Sequence, residues 1–285
     1  MATPPSTWLI TGASSGIGKS LALAALEAGH KVIGTTRDVG KAQKGCHEFS
    51  DKGGIWVELD PGAGDAFDAF AKCAQEHDVD VLVNNAGYAF IGGVEDTSEA
   101  DVRAQMEVNF YGPLRAVKAC LPVMRAKDSG QVILISSGAG FIARPSRGIY
   151  AASKFAIEAV HEALSHEVKS LGVKVLIVEP GAFRTPFATR CLTPTYLENG
   201  FSEAYKGTAV DQMVSTTRAW TGDSEFLKGD PDKAGRAIVQ TASTDYNCLR
   251  LPLGPDCVAA LELKIGELQR DLKATMSIAT STDAD

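Results

Sequence analysis

Tyr150 and Lys154 stand four residues apart in the stretch "IYAASK", at the head of a helical pattern that continues as "FAIEAVHEALSHEV". Residues at that spacing share one face of a helix. A free phenol titrates near ~10 and is a poor base at neutral pH. A cation within a few ångströms favours phenolate and lowers that value. The pair could therefore exchange a proton with a bound ligand. Such pairs also arise by chance, so the rest of the chain has to supply the context.

The second chemical signal is the turn "TGASSGIG", Thr11–Gly18. It lies between an apolar run and a helical stretch. Gly12, Gly16 and Gly18 let the backbone turn tightly and approach a ligand. Ser14, Ser15 and Ile17 complete the loop. A helix N-terminus presents unpaired N–H groups and partial positive charge to a pyrophosphate. The spacing is G-x-x-x-G-x-G rather than the general G-x-G-x-x-G. Strand, turn and helix in this order point to a dinucleotide.

The end of the next strand, "GTTRD", bears on which dinucleotide. Thr36 stands where a carboxylate would hold the 2′-hydroxyl of NAD. Arg37 follows, and a guanidinium suits a 2′-phosphate. NADP(H) is thus favoured over NAD(H), although Asp38 would bring a carboxylate near the ribose after a shift of one residue. Asp60, just after the third strand, either contacts the adenine or caps a turn.

These residues need elements to position them. Apolar runs rich in β-branched residues occur at "TWLIT", "KVIGTT", "GIWVEL", "VDVLVNN", "GQVILIS", "VKVLIVEP" and "CLRLPLG". Helical patterns lie between them, at Lys19–Ala28, about 65–76, about 99–124, from Tyr150 and from Pro231. Continuous apolar strands alternating with helices predict a doubly wound parallel α/β sheet, buried on both faces. A final helix covers "DCVAALELKIGELQRDLKA", with Asp256 as its N-cap. Residues 187–229 follow no period and carry Phe187, Tyr196, Phe201, Tyr205, Trp220 and Phe226. No repeat or linker divides the 285 residues, so one domain is expected, with a disordered tail over about 277–285.

Composition narrows the class. The chain is 45% hydrophobic and 22% charged, with a net charge of −7. That balance argues against a nucleic-acid partner or an anionic membrane surface. No apolar stretch reaches the ~20 residues of a membrane span. The N-terminus lacks a signal-peptide pattern. Six scattered cysteines without zinc spacing suit reduced, mostly buried thiols in a cytoplasmic protein, and no metal site is expected.

In combination the motifs resemble the short-chain dehydrogenase/reductases over nearly the whole length, from Thr11 to about Asp256. "TGASSGIG" is similar to their cofactor turn, and "NNAG" to their fourth-strand motif, with Asn85, Ala86 and Gly87 beside the cofactor. Asn109 in "EVNFYGP", Ser137 thirteen residues before Tyr150, and Tyr150 and Lys154 match the family's catalytic tetrad. "PGAFRT", with Pro180, Gly181 and Thr185, matches the loop beside the nicotinamide. A weaker likeness, in "FIARP" and the tail, is to the hydroxysteroid-dehydrogenase-like, often fungal, branch.

The resemblance implies a hydride transfer between NADP(H) and a ketone or secondary alcohol. Tyr150 would be the acid or base and Ser137 would polarise the substrate oxygen. Lys154 would hold the nicotinamide ribose, and Asn109 would hold a relay water. Segment 187–229 would be a mobile substrate lid. Its aromatics suggest a hydrophobic polyketide, terpenoid or steroid-like substrate, and Tyr88, Phe90, Phe141 and Ile142 are candidate pocket walls. The family often forms dimers or tetramers through the long helices after the fourth and fifth strands. The other expectation left open is a dinucleotide-binding protein without redox turnover, since fold does not fix function.

Overall fold

The computed structural model describes residues 5–219, 227–244 and 247–284. Trp220 and Phe226 of the expected lid lie outside the described residues. Seven strands form one parallel sheet: β1 (Thr7–Ile10), β2 (Lys31–Thr36), β3 (Ile55–Glu58), β4 (Val81–Asn84), β5 (Gly130–Ile135), β6 (Val173–Pro180) and β7 (Arg250–Leu253). Their order is β3-β2-β1-β4-β5-β6-β7. The chain reverses direction across the sheet between β1 and β4, which is where open α/β sheets leave a crevice at their carboxyl ends. This is the doubly wound Rossmann arrangement expected. Pro252 is tolerated in β7 because that strand is an edge.

The core has two layers, one on each face. Trp8, Ile10, Val32 and Val83 face helices α1 (Gly16–Glu27) and α9 (Pro231–Ala242), where Leu21 and Ile238 meet them. Leu9, Ile33, Leu82 and Val132 face the other way, onto Phe70 of α4 (Ala66–His77) and Met124 of α6 (Gly112–Ala126). Successive strand residues serving opposite faces explain why the strands read as unbroken apolar runs.

Four expectations need correction, and the β2–β3 connection holds more structure than the sequence showed. Helix α1 begins at Gly16, not Lys19, because Gly12 (φ +67°) and Gly16 (φ +58°) turn the chain straight into it. Two short helices, α2 (Val39–Gly45) and α3 (His47–Asp51), fill the β2–β3 connection. The helix expected over 99–124 is α5 (Glu99–Met106), a π-helical turn at Glu107–Tyr111, then α6. The last helix, α10, spans Pro255–Ala279 and so enters the expected tail. Its N-cap is Gly254; the Asp256 carboxylate instead accepts the Ala182 N–H at 2.8 Å.

Helices α1 and α9 pack closely because Gly235 has no side chain. A Cβ there would sit 2.7 Å from the backbone carbon of Ser20. The Ser20 hydroxyl donates to Asp232 at 2.6 Å beside it. Gly235→Ala is expected to cost about 1–3 kcal/mol through overpacking, in spite of alanine's better helix propensity. Urea unfolding checks this; a midpoint equal to or above wild type contradicts the packing account.

Candidate active site

Helix α7 (Gly148–Glu167) carries Tyr150 and Lys154 on its buried face, at 3% and 6% exposure. The Lys154 ammonium donates to the Ile135 carbonyl at the end of β5, at 3.0 Å, and stands 6.0 Å from the centre of the Tyr150 ring. Ser137 follows β5, and its hydroxyl accepts the Ala139 N–H at 3.1 Å. Among the influences on the Tyr150 phenol, the Ser137 side chain is the one that most favours ionisation. Three of the four tetrad residues therefore meet where β5 and α7 converge.

Asn109 joins them from the π-helical turn. It is 1% exposed. Its amide donates to the Tyr88 carbonyl at 3.0 Å and to Ser153 Oγ at 3.1 Å, and its oxygen accepts the Tyr88 N–H at 3.2 Å. Both amide hydrogens are committed, so its oxygen holds the remaining capacity. A Cβ on Gly87 would lie 3.1 Å from that oxygen and 3.8 Å from Lys154 Nζ. Gly87 thus leaves the approach to both groups open. The π turn aims Asn109 inward; such insertions are frequent at functional sites.

The electrostatics differ from the sequence expectation. The phenol is raised to about 12, chiefly by burial. What lowers it most is the Ser137 side chain and then Arg147, not Lys154. Lys154 is itself pushed down to about 8 by burial, with Glu158 opposing. Desolvation is the largest influence on both groups, and Lys154 is not among those that lower the phenol.

A second buried group lies one turn beyond Lys154. Glu158 accepts from the Ser136 hydroxyl, and Arg250 reaches Glu179 at 3.3 Å and Glu162 at 2.7 Å. Burial holds both Glu158 and Glu179 above the usual carboxylate range. Sequence reasoning missed this cluster; a glutamate inside the apolar run "VLIVEP" was the available signal.

The cleft above the crossover suits a dinucleotide. Helix α1 has no acidic residue in its first turn, and Ser15, its N-cap, makes no side-chain cap bond. A Cβ on Gly18 would lie 2.7 Å from the Gly12 carbonyl oxygen. Asn85 Nδ2 donates to the carbonyls of Thr11 (2.8 Å) and Gly12 (3.2 Å), and Thr11 Oγ1 accepts the N–H groups of Asn85 and Ala86, each at 2.9 Å. These bonds tie the turn that holds Ser14 and Ile17 to the end of β4. The loop after Pro180 is pinned by Gly181 N–H to the Leu253 carbonyl at 2.8 Å. It brings Thr185 to 3.4 Å from where a Gly16 Cβ would be.

At the far end, a cavity of about 280 Å³ is lined by Arg37, Glu58, Asp60 and Asp65 among others. Thr36 bonds the backbone of Asp38. The Asp38 carboxylate caps α2, accepting the Lys41 N–H at 2.8 Å. Asp60 accepts the Gly62 N–H at 2.9 Å, so the capping role is present beside its place in the cavity.

Among the described residues of the expected lid, Phe187 puts its ring 5.9 Å from the Tyr150 ring. Arg190, which sequence reasoning did not single out, donates to Ser15 Oγ at 3.1 Å. Tyr196 donates to the Asp96 carbonyl, and Ser202 N–H to the Asp96 carboxylate at 2.9 Å. Phe90 is buried rather than facing the cleft freely, bridging to Leu192. Tyr88, Phe141 and Ile142 are partly exposed. Among the described residues no group of His, Cys, Asp or Glu could hold a metal, and no helix is long and apolar enough to cross a membrane.

A profile of the short chain dehydrogenase family matches residues 6–194. The chain is a short-chain dehydrogenase/reductase. It is 46% identical over 209 residues to oxidoreductase claN of Passalora fulva, covering 73% of this chain and 94% of that one. A short-chain dehydrogenase structure from Streptomyces avermitilis is 37% identical, with TM-score 0.85, over 98% of this chain and 100% of that one. The fold recurs in a Burkholderia phymatum short-chain dehydrogenase/reductase complexed with NAD (23% identical, TM-score 0.77, 95% and 96% covered) and in a metagenomic one complexed with NADP (24%, 0.67, 89% and 97%). Proteins of this dehydrogenase/reductase fold thus hold either dinucleotide.

The buried ammonium makes a stability prediction. Its value of about 8 lies below the ~10.4 of an unfolded lysine, so the unfolded chain binds more protons between those limits. The penalty on the folded state is full below pH 8 and fades as pH rises towards 10. Lys154→Met is expected to stabilise the protein at pH 7 by on the order of 1–3 kcal/mol, less any loss from the Ile135 hydrogen bond, with a smaller gain near pH 10. Urea titrations at both pH values measure it. Destabilisation at pH 7 would show that the ammonium is not paying a burial penalty.

Proposed function

We propose that this short-chain dehydrogenase/reductase is an NADP(H)-dependent oxidoreductase that interconverts a hydrophobic ketone and its secondary alcohol. The observation that carries the reading is the meeting of Tyr150, Ser137 and Lys154 at the mouth of the crossover cleft. Gly12, Ser14, Ser15, Gly16, Ile17 and Gly18 would hold the pyrophosphate, with Arg190 closing over it from the opposite side. Asn85, Ala86, Gly87, Pro180, Gly181 and Thr185 would frame the nicotinamide half. A bound nicotinamide dinucleotide would supply or accept the hydride.

The chain's own residues then handle the proton. A phenol held near 12 is fully protonated at neutral pH, so Tyr150 is poised to donate to a carbonyl oxygen. Ser137, which favours ionisation of that phenol, would steady the same oxygen. Lys154 would bind the ribose, and Asn109, through its free oxygen capacity, would hold the water that restores the proton. Acting as a base in the oxidative direction requires added positive charge near Tyr150, because burial opposes phenolate.

For cofactor choice, Asp38 is engaged as a helix cap while Arg37 lines the ribose-side cavity with Thr36 and Asp60 near it. That division supports a 2′-phosphate ligand. Phe187, Tyr88, Phe141 and Ile142 would give the substrate an apolar wall. A smaller cavity of about 200 Å³, lined by Ile91, Ala188, Thr189, Cys191, Thr217 and Arg218, extends beneath the same segment.

Two outcomes follow. Tyr150→Phe should bind NADPH normally but lose turnover by on the order of 10²–10⁴ with hydrophobic ketones; near-wild-type turnover removes Tyr150 from the chemistry. Arg37→Ala should weaken NADPH by roughly 1.5–3 kcal/mol while sparing NADH. Equal losses in fluorescence titrations with the two cofactors would refute the 2′-phosphate assignment.

A further inference from the structure

Helix α10 outruns the body of the protein. Cys257 and Ala260 are buried at its start, but every described residue from Leu268 onward is exposed. A single helical overhang of this length is marginal in water, and Gly266 lowers its propensity further. The overhang is nonetheless apolar along one side. Ile265, Leu268 and Leu272 are 46%, 55% and 57% exposed. With Val258, Leu261 and Thr275 they recur at alternating steps of three and four residues, the a/d seam of a coiled coil. Leu263, also exposed, lies off this seam.

The seam is complementary to itself in one orientation. Set antiparallel against a second copy, Val258 faces Thr275, Leu261 faces Leu272, and Ile265 faces Leu268. Each layer then occurs twice about a two-fold axis, as an isologous dimer requires. The same register brings Lys264 beside the Asp271 of the second copy, again twice. A parallel pairing would put Lys264 beside Gln269 and stack Thr275 on itself, with no charge match. Among the described residues of one chain Lys264 pairs with Glu267, at 3.5 Å and with both side chains about a third exposed, an i,i+3 contact of modest weight.

From this we infer that α10 pairs antiparallel with α10 of a second copy of this chain. The seam lies on a different element from α5, α6 and α7, the helices through which the family resemblance implies subunit contacts. It is therefore an additional or alternative interface.

Light scattering during size-exclusion chromatography tests the pairing, with near-UV circular dichroism confirming that each variant is folded. Leu268→Lys combined with Leu272→Lys is expected to halve the particle mass at the same protomer concentration. Lys264→Asp and Asp271→Lys should each raise the dissociation constant roughly tenfold by setting like charges together at two places. The double exchange should restore it. A wild-type mass that the leucine variant leaves unchanged overturns the interface, and single exchanges that the double exchange fails to rescue overturn the antiparallel register. A monomer that instead sediments with phosphatidylcholine–phosphatidylserine vesicles, and loses that on Leu268→Lys, assigns the seam to a membrane surface and overturns the proposal.

Discussion

Taking the Lys154 ammonium out of water is the constraint around which the site is arranged. It sits on α7, is 6% exposed, and is anchored to the carbonyl that ends β5. That anchor fixes the first turn of α7 against the sheet end, and so fixes where Tyr150 can be. It also carries an electrostatic cost, and the response is visible: the lysine moves to about 8, and an acidic cluster at Glu158 and Glu179 stands behind it with Arg250. Strongly perturbed groups of this kind gather at functional sites.

The fold supplies the rest by placement. The crossover between β1 and β4 opens the cleft, and the bonds from Thr11 and Asn85 lock the glycine turn to the far side of that opening. The π turn between α5 and α6 lets one long helical arm serve two ends. Its outer part packs on the core through Val117 and Met124, while Asn109 turns inward to the backbone of Tyr88. The glycine turn and the Tyr150–Lys154 pair are thus each held by elements whose other face is buried in the core.

Much of this architecture was legible in the sequence. Seven apolar runs and the helices between them announced the sheet because strands buried on both faces cannot alternate. The glycine turn and the tyrosine–lysine spacing were legible because each is local. What was not legible depends on contacts between distant segments. Spacing along α7 says how near Lys154 lies to Tyr150, but not how dry the surroundings are, and dryness decided the direction of both shifts. Asp256 reads as a helix cap from its neighbours, yet its carboxylate serves the loop at Ala182. The π turn is defined by i→i+5 backbone bonds, which no residue type in 99–124 marks. Arg190 looks like an isolated surface charge until the fold brings it to Ser15.

The central claim is that burial keeps Tyr150 a neutral proton donor until positive charge arrives beside it. Carbon-13 NMR of ring-labelled tyrosine, with the Tyr150 signal assigned by difference from Tyr150→Phe, reads the phenol directly. The account predicts a neutral phenol from pH 7 to about 10 without cofactor, and a titration moved downward once oxidised dinucleotide is bound. A phenolate signal near neutral pH in the cofactor-free protein, or a Tyr150 resonance indifferent to the oxidised dinucleotide, would contradict it.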